Sequence, residues 1–244
     1  MSRRNSAMYT PHPLTAQFDS AKFMVGGGVA IFHLATGRVV LCSYEQHGHT
    51  VYFLPKGRRD AGEESGTGAE REGYEEVGPK TRYRNRLLPL PTRHCQPQAH
   101  PRVHAPTHTA EPVLLQLMPL REYQYVVYWY ISETLPPSLE GDLETEPGSP
   151  YKPPPRYPQN LSLRERIAME PQGYEPRHHE GTGVDNMERQ FKSELCSVED
   201  AIKKLGQGHM MGEAMADVVR KGWEGIQKRS EMEDAATQQS PEAV

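Results

Sequence analysis

The chain has 244 residues, 36% of them apolar, and a formal net charge of −4 at pH 7 with a pI of about 6.3. This charge balance gives no support to wholesale binding of nucleic acid or acidic membranes. No apolar run approaches the roughly 18 residues that cross a bilayer, so no membrane-spanning helix is expected. The apolar content is below that of an average globular domain, so part of the chain is expected to lie outside a packed core.

The N-terminal residues 1–20 contain no apolar signal-peptide core, and we expect them to form a disordered tail on a protein that is not secreted. Cys42, Cys95 and Cys196 are too few and too scattered for a disulfide framework or a zinc knuckle. Both features favour a reducing intracellular compartment, which we expect to be the cytoplasm, with the nucleus as the alternative.

The first structured segment is a β-rich run. Alternating apolar residues across Lys22–Tyr44 predict two strands joined by a turn at Ala35–Gly37, and Val51–Leu54 predicts a third strand. A loop is expected at Pro55–Gly62, and the spacing of Glu64–Val77 predicts a helix that carries many carboxylates.

Strands are expected to resume at Val113–Met118 and at Tyr123–Thr134, which are rich in β-branched and aromatic residues. Eight prolines between Pro136 and Pro158 predict an excursion without a core of its own, followed by one short helix at Leu161–Ala168. A final strand is expected within Met187–Cys196.

Two helices are expected to close the chain. Ser197 and Asp200 form a helix N-terminus signal for Ser197–Leu205. The apolar stripe of the closing helix consists of Met211, Met215, Val218, Val219, Trp223 and Ile226. The pattern predicts one α/β domain over residues 21–229, with a basic insertion at 80–112, a Pro-rich insertion at 134–186 and a disordered tail at 230–244.

One segment carries a pattern of fixed charges and glycines. Its members are Gly57, Glu63, Arg71, Glu72, Glu75, Glu76 and Gly78. This spacing resembles the Nudix box, in which a glycine, five residues, a glutamate and seven residues precede Arg-Glu-x-x-Glu-Glu-x-Gly. The resemblance implies the Nudix fold, a mixed β-sheet sandwiched between α-helices. The long Pro-rich additions are similar to those of filamentous-fungal Nudix proteins.

The residues of the box indicate a metal site in their own right. Glu72, Glu75 and Glu76 have the spacing that places them on one face of a helix. Clustered carboxylates repel unless cations neutralise them, and hard oxygen ligands select Mg²⁺ or Mn²⁺. Arg71 precedes Glu75 by one turn and is expected to pair with it. The resemblance implies that the Gly57 carbonyl is a further metal ligand and that Arg71 and the three glutamates form the catalytic set.

Two positions depart from the family pattern, which usually has aliphatic residues where this chain has Gly73 and Pro79. Gly66 also lies in the stretch leading into the helix, and glycine in a helix interior costs about 0.5–1 kcal/mol relative to alanine. A capping box formed by Thr67 and Glu70 is expected to start the helix after Gly66.

Basic residues predict an anionic substrate. Lys56, Arg58 and Arg59 flank the metal-binding glycine and are expected to hold phosphates. A stretch without acids follows the box, and its arginines, including Arg82 and Arg84, suggest a diphosphoinositol polyphosphate or a dinucleoside polyphosphate. The alternative is a solvated basic loop that balances the acidic stretch Glu133–Glu146.

Further candidate metal ligands lie outside the box. The residues His94, Cys95, His100, His104 and His108 suggest zinc, although the prolines among them oppose a regular helix. Many Nudix proteins recruit an additional glutamate as a ligand or base, and the candidates in this chain are Glu180, Glu188 and Glu194.

The function expected from the box is Mg²⁺-dependent (or Mn²⁺-dependent) hydrolysis of a phosphoanhydride, with water attacking phosphorus in a small nucleoside-diphosphate-linked or polyphosphorylated substrate. Two alternatives remain open. One is a non-catalytic Nudix module that binds a polyphosphate or a protein partner, which the intact carboxylate set disfavours. The other is RNA decapping, which the basic stretch permits and the net charge of −4 does not encourage.

Overall fold

The computed structural model describes residues 14–75, 83–91, 107–143, 151–177, 191–207 and 210–239. Its centre is a mixed sheet of eight strands with helices on both faces, so the predicted α/β class is confirmed. No helix in these ranges is long and apolar enough to cross a membrane.

The strands of the sheet are β1 (Phe23–His33), β2 (Arg38–Gln46), β3 (His49–Phe53), β4 (Lys56–Arg58), β5 (Asn85–Leu87), β6 (Leu114–Leu120), β7 (Tyr123–Thr134) and β8 (Lys192–Ser197). The helices are α1 (Ser65–Glu75), α2 (Pro137–Gly141), α3 (Leu163–Ala168), α4 (Val198–Leu205) and α5 (Met210–Gln239). A single 3₁₀ turn, Ser20–Lys22, precedes β1.

The parallel pair of β1 and β7 forms the middle of the sheet, with the register running from Phe23 opposite Gln124 to Phe32 opposite Glu133. The strands β2 and β4 pair antiparallel with β1, and β5 and β6 pair antiparallel with β7. The outer strands β3 and β8 both pair with β2.

Alternating residues of the central strands build two separate cores, as the pleat requires. On one face, Phe32 and Trp129 pack in a large cluster with residues of α4 and α5. On the other face, Val29 and Ile31 pack with Ala69 of α1 in a smaller cluster. The sheet therefore lies between α1 on one side and the two C-terminal helices on the other.

Most of the strands and helices agree with the sequence-based prediction, and four features correct it. The expected loop at Pro55–Gly62 contains the strand β4, and the basic insertion contains β5. The Pro-rich excursion contains the helix α2. The closing helix continues to Gln239, where a disordered tail from residue 230 was expected, because residues such as Arg229 and Glu233 tie its last turns to the rest of the fold.

The Pro-rich insertion is anchored by a buried network of charges. Arg86 of β5 and Arg166 of α3 each form an ion pair with the carboxylate of Glu133, at N–O distances of 2.6 and 2.7 Å. Arg166 also pairs with Glu170, whose second oxygen lies 3.0 Å from the His33 ring on β1. Burial raises the pKa of Glu170, but hydrogen bonds from His33 and Arg166 outweigh it and lower that pKa overall.

The network predicts a large difference between two arginines of α3. Arg166→Met should reduce the free energy of unfolding by about 3–5 kcal/mol, because it leaves the buried Glu133 with one of its two cations missing. Arg164→Met should change it by no more than about 0.5 kcal/mol, since Arg164 is exposed and pairs only at the surface with Asp234. Urea unfolding monitored by circular dichroism measures both. Equal, small losses would contradict the role given to Arg166.

Candidate metal-dependent active site

The loop before α1 is held by local hydrogen bonds. Asp60 donates its backbone N–H to the Glu63 carboxylate at 2.9 Å, and Glu63 donates its own N–H back to the Asp60 carbonyl at 3.1 Å. Gly62 between them has φ +82°, a conformation that favours glycine. The helix then begins at Ser65, so the expected start after Gly66 is wrong.

Arg71 is the hub of the box. Its guanidinium donates two hydrogen bonds to Glu63, both at 3.0 Å, and one each to Glu72 at 2.8 Å and to Glu75 at 2.7 Å. A fifth bond, at 3.0 Å, reaches the backbone carbonyl of Arg58. The predicted pairing of Arg71 with Glu75 is present, and it is one part of a network that joins the loop to the helix.

This network sets the charge state of its members. Burial raises the pKa of the Glu63 carboxyl, but hydrogen bonds from Arg71 and from the Asp60 backbone, with the Arg71 charge, lower it overall. The bond to Glu63 raises the pKa of Arg71, and the bond to Glu75 adds to the effect. Arg71 thus contributes one permanent positive charge to a group of three carboxylates on and beside α1.

Gly57 lies directly against the helix face that carries Glu72. A Cβ added at Gly57 would overlap the carboxylate of Glu72, so a larger residue there would require that carboxylate to move. The approach brings a backbone segment expected to supply a carbonyl ligand next to Glu72, with Glu75 one turn further along. Hard oxygen donors of this kind fit Mg²⁺ or Mn²⁺.

The predicted third carboxylate, Glu76, lies outside the described residues, as do Gly78 and Pro79. Among the residues that the structure describes, no group of three or more His, Cys, Asp or Glu side chains is arranged to hold a metal ion. The described part of the site is therefore the Gly57 segment with Glu72 and Glu75, which Arg71 holds in place.

The cations predicted to hold phosphate fall into two groups. Lys56 is half-buried on β4, whereas Arg58 and Arg59 are exposed beside it, and Arg59 donates to the Glu63 carbonyl at 2.9 Å. Arg82 lies outside the described residues. Arg84 is only 4% exposed, with its guanidinium 4.6 Å from the centre of the Tyr74 ring.

These positions correct the expectation of a basic grip beyond the box. Arg84 packs in the interior, and Arg86 is 1% exposed and bound to Glu133. Neither guanidinium is presented to an open cleft, so the predicted substrate-binding role of Arg84 has no support in its position. The sequence could not reveal this, because an arginine that pairs inside a fold and one that faces solvent look alike in composition.

Of the other candidate ligands, the structure describes only His108 and Glu194, and neither is placed at the site. His94, Cys95, His100 and His104 lie outside the described residues, as do Glu180 and Glu188, and His108 is half-buried. Glu194 lies on β8 and pairs with Lys204 of α4 at 2.6 Å, on the face of the sheet opposite α1. Glu194 is therefore wrong as a further ligand of this site.

Glu70 has a role that sequence reasoning missed. Instead of capping the helix with Thr67, its carboxylate accepts a 2.6 Å hydrogen bond from the backbone N–H of Leu87 on β5. Burial raises the pKa of Glu70 to about 7, although the Leu87 bond and the charges of Arg156 and Arg86 oppose the shift. No local signal could have found this contact, because it depends on where β5 lies.

No protein-family model matches the chain, and no curated protein sequence matches it either. Among solved structures, a Nudix hydrolase from Nitrosomonas europaea is 10% identical over 84% of this chain and 91% of its own, with a TM-score of 0.44.

Two further structures are similar to this extent. A Caenorhabditis elegans Ap4A hydrolase is 16% identical over 81% of this chain and 93% of its own, with a TM-score of 0.38. A MutT protein of Aliivibrio salmonicida or Vibrio cholerae is 10% identical over 81% of this chain and 97% of its own, with a TM-score of 0.36.

The glycines of α1 predict opposite effects of one substitution. Gly73→Ala should destabilise the fold by about 1–3 kcal/mol, because its Cβ would lie 2.7 Å from the rigid, buried Val29 and 2.8 Å from the Asn85 amide. Gly66→Ala should be neutral or stabilise by up to about 1 kcal/mol, since the nearest atom is the flexible end of Leu87 at 2.9 Å. Thermal unfolding of both variants tests this, and a stabilised Gly73→Ala would contradict the close packing of α1.

Proposed function

We propose that the protein is a Nudix-type hydrolase that cleaves phosphoanhydride bonds with a divalent cation, Mg²⁺ or Mn²⁺. One observation carries the proposal: Arg71 gathers Glu63, Glu72 and Glu75 on the flank of α1 that touches Gly57. Carboxylates gathered at hydrogen-bond distance around one guanidinium present the hard oxygen atoms that Mg²⁺ and Mn²⁺ prefer. The Gly57 backbone lies beside the Glu72 carboxylate, which adds a carbonyl oxygen of the same kind to the group.

The residues of the site have different roles in the proposed reaction. Glu72, Glu75 and the Gly57 carbonyl would hold the cation, together with Glu76 as the resemblance implies. The bound cation would supply Lewis-acid chemistry, by withdrawing charge from the phosphate and lowering the pKa of the attacking water. Arg71 fixes the rotamers of the carboxylates before the cation arrives, so little reorganisation is required. Water attacks phosphorus, the anhydride P–O bond breaks and a phosphate leaves.

The substrate side is formed by three cations next to the box. Arg58 and Arg59 are exposed at the end of β4, and the half-buried Lys56 is at its start. Each of the three contacts a phosphate, the arginines as forks and the lysine as a point charge. A small polyphosphorylated or nucleoside-diphosphate-linked molecule suits this arrangement, including a dinucleoside polyphosphate or a diphosphoinositol polyphosphate. The interior positions of Arg84 and Arg86 remove part of the support for the most highly charged substrates.

Two other functions compete with this proposal. A non-catalytic module would bind a polyphosphate or a protein without turnover, and a decapping enzyme would require a capped RNA. A phosphate-release screen over nucleotide sugars, dinucleoside polyphosphates, ADP-ribose, capped RNA and inositol pyrophosphates with Mg²⁺ separates the three. We place the activity in a reducing intracellular compartment, as the number and spacing of the cysteines in the sequence suggest.

The carboxylates predict a metal-dependent phenotype. Glu72→Gln and Glu75→Gln should each reduce kcat by at least about 100-fold, because each removes a ligand charge at the reacting phosphate. Each should also weaken the stabilisation by Mg²⁺ or Mn²⁺, which for the wild type is about 2.7 kcal/mol at a cation concentration 100 times the Kd. Steady-state kinetics and thermal unfolding with and without EDTA measure these effects.

Glu64→Gln is the matched control, since Glu64 is an exposed glutamate that directly precedes α1. It should keep both the turnover and the metal-dependent shift in Tm. Near-normal activity of both Glu72→Gln and Glu75→Gln would place the metal elsewhere. A wild type that gains no stability from either cation and hydrolyses no anhydride would favour the binding module.

A further inference from the structure

The short strand β5 holds α1 from one flank. Asn85, which is 1% exposed, donates its side-chain amide to the backbone carbonyl of Glu70 at 3.0 Å. Leu87 donates its backbone N–H to the Glu70 carboxylate at 2.6 Å. Two bonds from one strand therefore converge on a single residue in the middle of α1.

Glu70 and Glu72 face different flanks of the helix. Residues two apart in an α-helix are separated by about 200° around its axis. The flank at Glu70 touches β5, whereas the flank at Glu72 touches β4 through Gly57. A rotation or slide of α1 that broke the β5 contacts would therefore displace Glu72 and Glu75 relative to Gly57.

The strand β5 is itself fixed from its other side by the Pro-rich insertion. Arg86 pairs with Glu133 at 2.6 Å, and its guanidinium lies 4.7 Å from the ring centre of Tyr157. Arg166 of α3 pairs with the second oxygen of Glu133. The insertion also reaches α1 directly, since the rings of Tyr151 and Tyr74 are 5.8 Å apart.

We propose that Glu70 and Asn85 are positioning residues that set the rotation of α1 and so place Glu72 and Glu75 for metal binding and catalysis. The inference rests on the proposed hydrolase function. It assigns a role to a glutamate of α1 whose side chain points away from Gly57, and it makes the Pro-rich insertion part of the support of the active site. A displacement of about 1 Å is enough to cost about 100-fold in rate.

The first test compares two replacements of Glu70. Glu70→Met keeps the length of the side chain but removes the acceptor, and it should reduce kcat by about 10–100-fold with a change in KM below about 3-fold. It should also raise the Mg²⁺ concentration needed for half-maximal activity. Glu70→Gln keeps an acceptor for the Leu87 N–H and should restore most of the kcat. Glu64→Met is the control for loss of one nearby negative charge.

Amide hydrogen exchange reports the contacts independently of activity. In Glu70→Met the Leu87 amide and the amides of α1 should exchange faster than in the wild type, and in Glu70→Gln they should not. Asn85→Ala, which removes the second bond from β5, should give the same pattern in kcat and exchange. It serves as the second variant if Glu70→Met folds poorly.

Three outcomes would overturn the proposal. Unchanged exchange in Glu70→Met and Asn85→Ala would mean that the bonds do not fix α1. Faster exchange with a normal kcat per folded molecule would mean that fixing α1 does not place the carboxylates. A kcat that falls equally in Glu70→Met, Glu70→Gln and Glu64→Met would assign the effect to charge. An inactive wild type that binds no Mn²⁺ would instead refute the proposed function, and the catalytic role of both residues with it.

Discussion

The close approach of α1 to β1 is the constraint on which the site depends. A Cβ at Gly27 would lie 2.5 Å from the Ser65 carbonyl oxygen and 2.7 Å from the Ala69 nitrogen, so no other residue fits between strand and helix. Gly73, two residues before the end of the helix, allows a further close contact, because a Cβ there would lie 2.7 Å from the Val29 side chain. Because helix and sheet meet almost backbone to backbone, the carboxylate of Glu72 can lie against the short strand that carries Gly57.

Such packing explains why a helix with poor intrinsic propensity persists. Three glycines lower the propensity of α1, and short helices gain most of their stability from tertiary contacts. Of the glycines that weaken the helix, Gly73 lets it pack closely against Val29 and Asn85, and Arg71 offsets the repulsion among the carboxylates that it pairs with. The sequence of α1 is thus unfavourable for an isolated helix but allows a compact arrangement of charge, and such local conflicts are common at functional sites.

The sequence was sufficient for what depends on local pattern. Alternation predicted β1, β-branched and aromatic composition predicted β7, and the spacing of the box predicted the shared helix face of Glu72 and Glu75. Contacts between distant segments could not be predicted from local pattern. The strand β5 has only three residues and therefore no detectable periodicity. The burial of Arg86 depends on Glu133, which is 47 positions away. The sequence likewise did not reveal how the Pro-rich insertion is anchored. Its Arg166 pairs with Glu133 of the sheet and with Glu170, and these contacts follow from the fold.

The parallel pairing of β1 with β7 has a consequence for synthesis of the chain. The residues that flank β1 in the sheet centre lie about 100 positions later, from Gln124 to Glu133, and Arg166 is later still. Contacts of such long separation are slow to form because loop closure precedes any gain. When the box has emerged from the ribosome, the nascent chain still lacks β7, which pairs with β1, and Arg166, which pairs with Glu133. Its glycine-rich helix then lacks the hydrogen bond between Ser65 and Tyr130 of β7, and a chain that is packed incompletely in this way exposes apolar surface that chaperones protect.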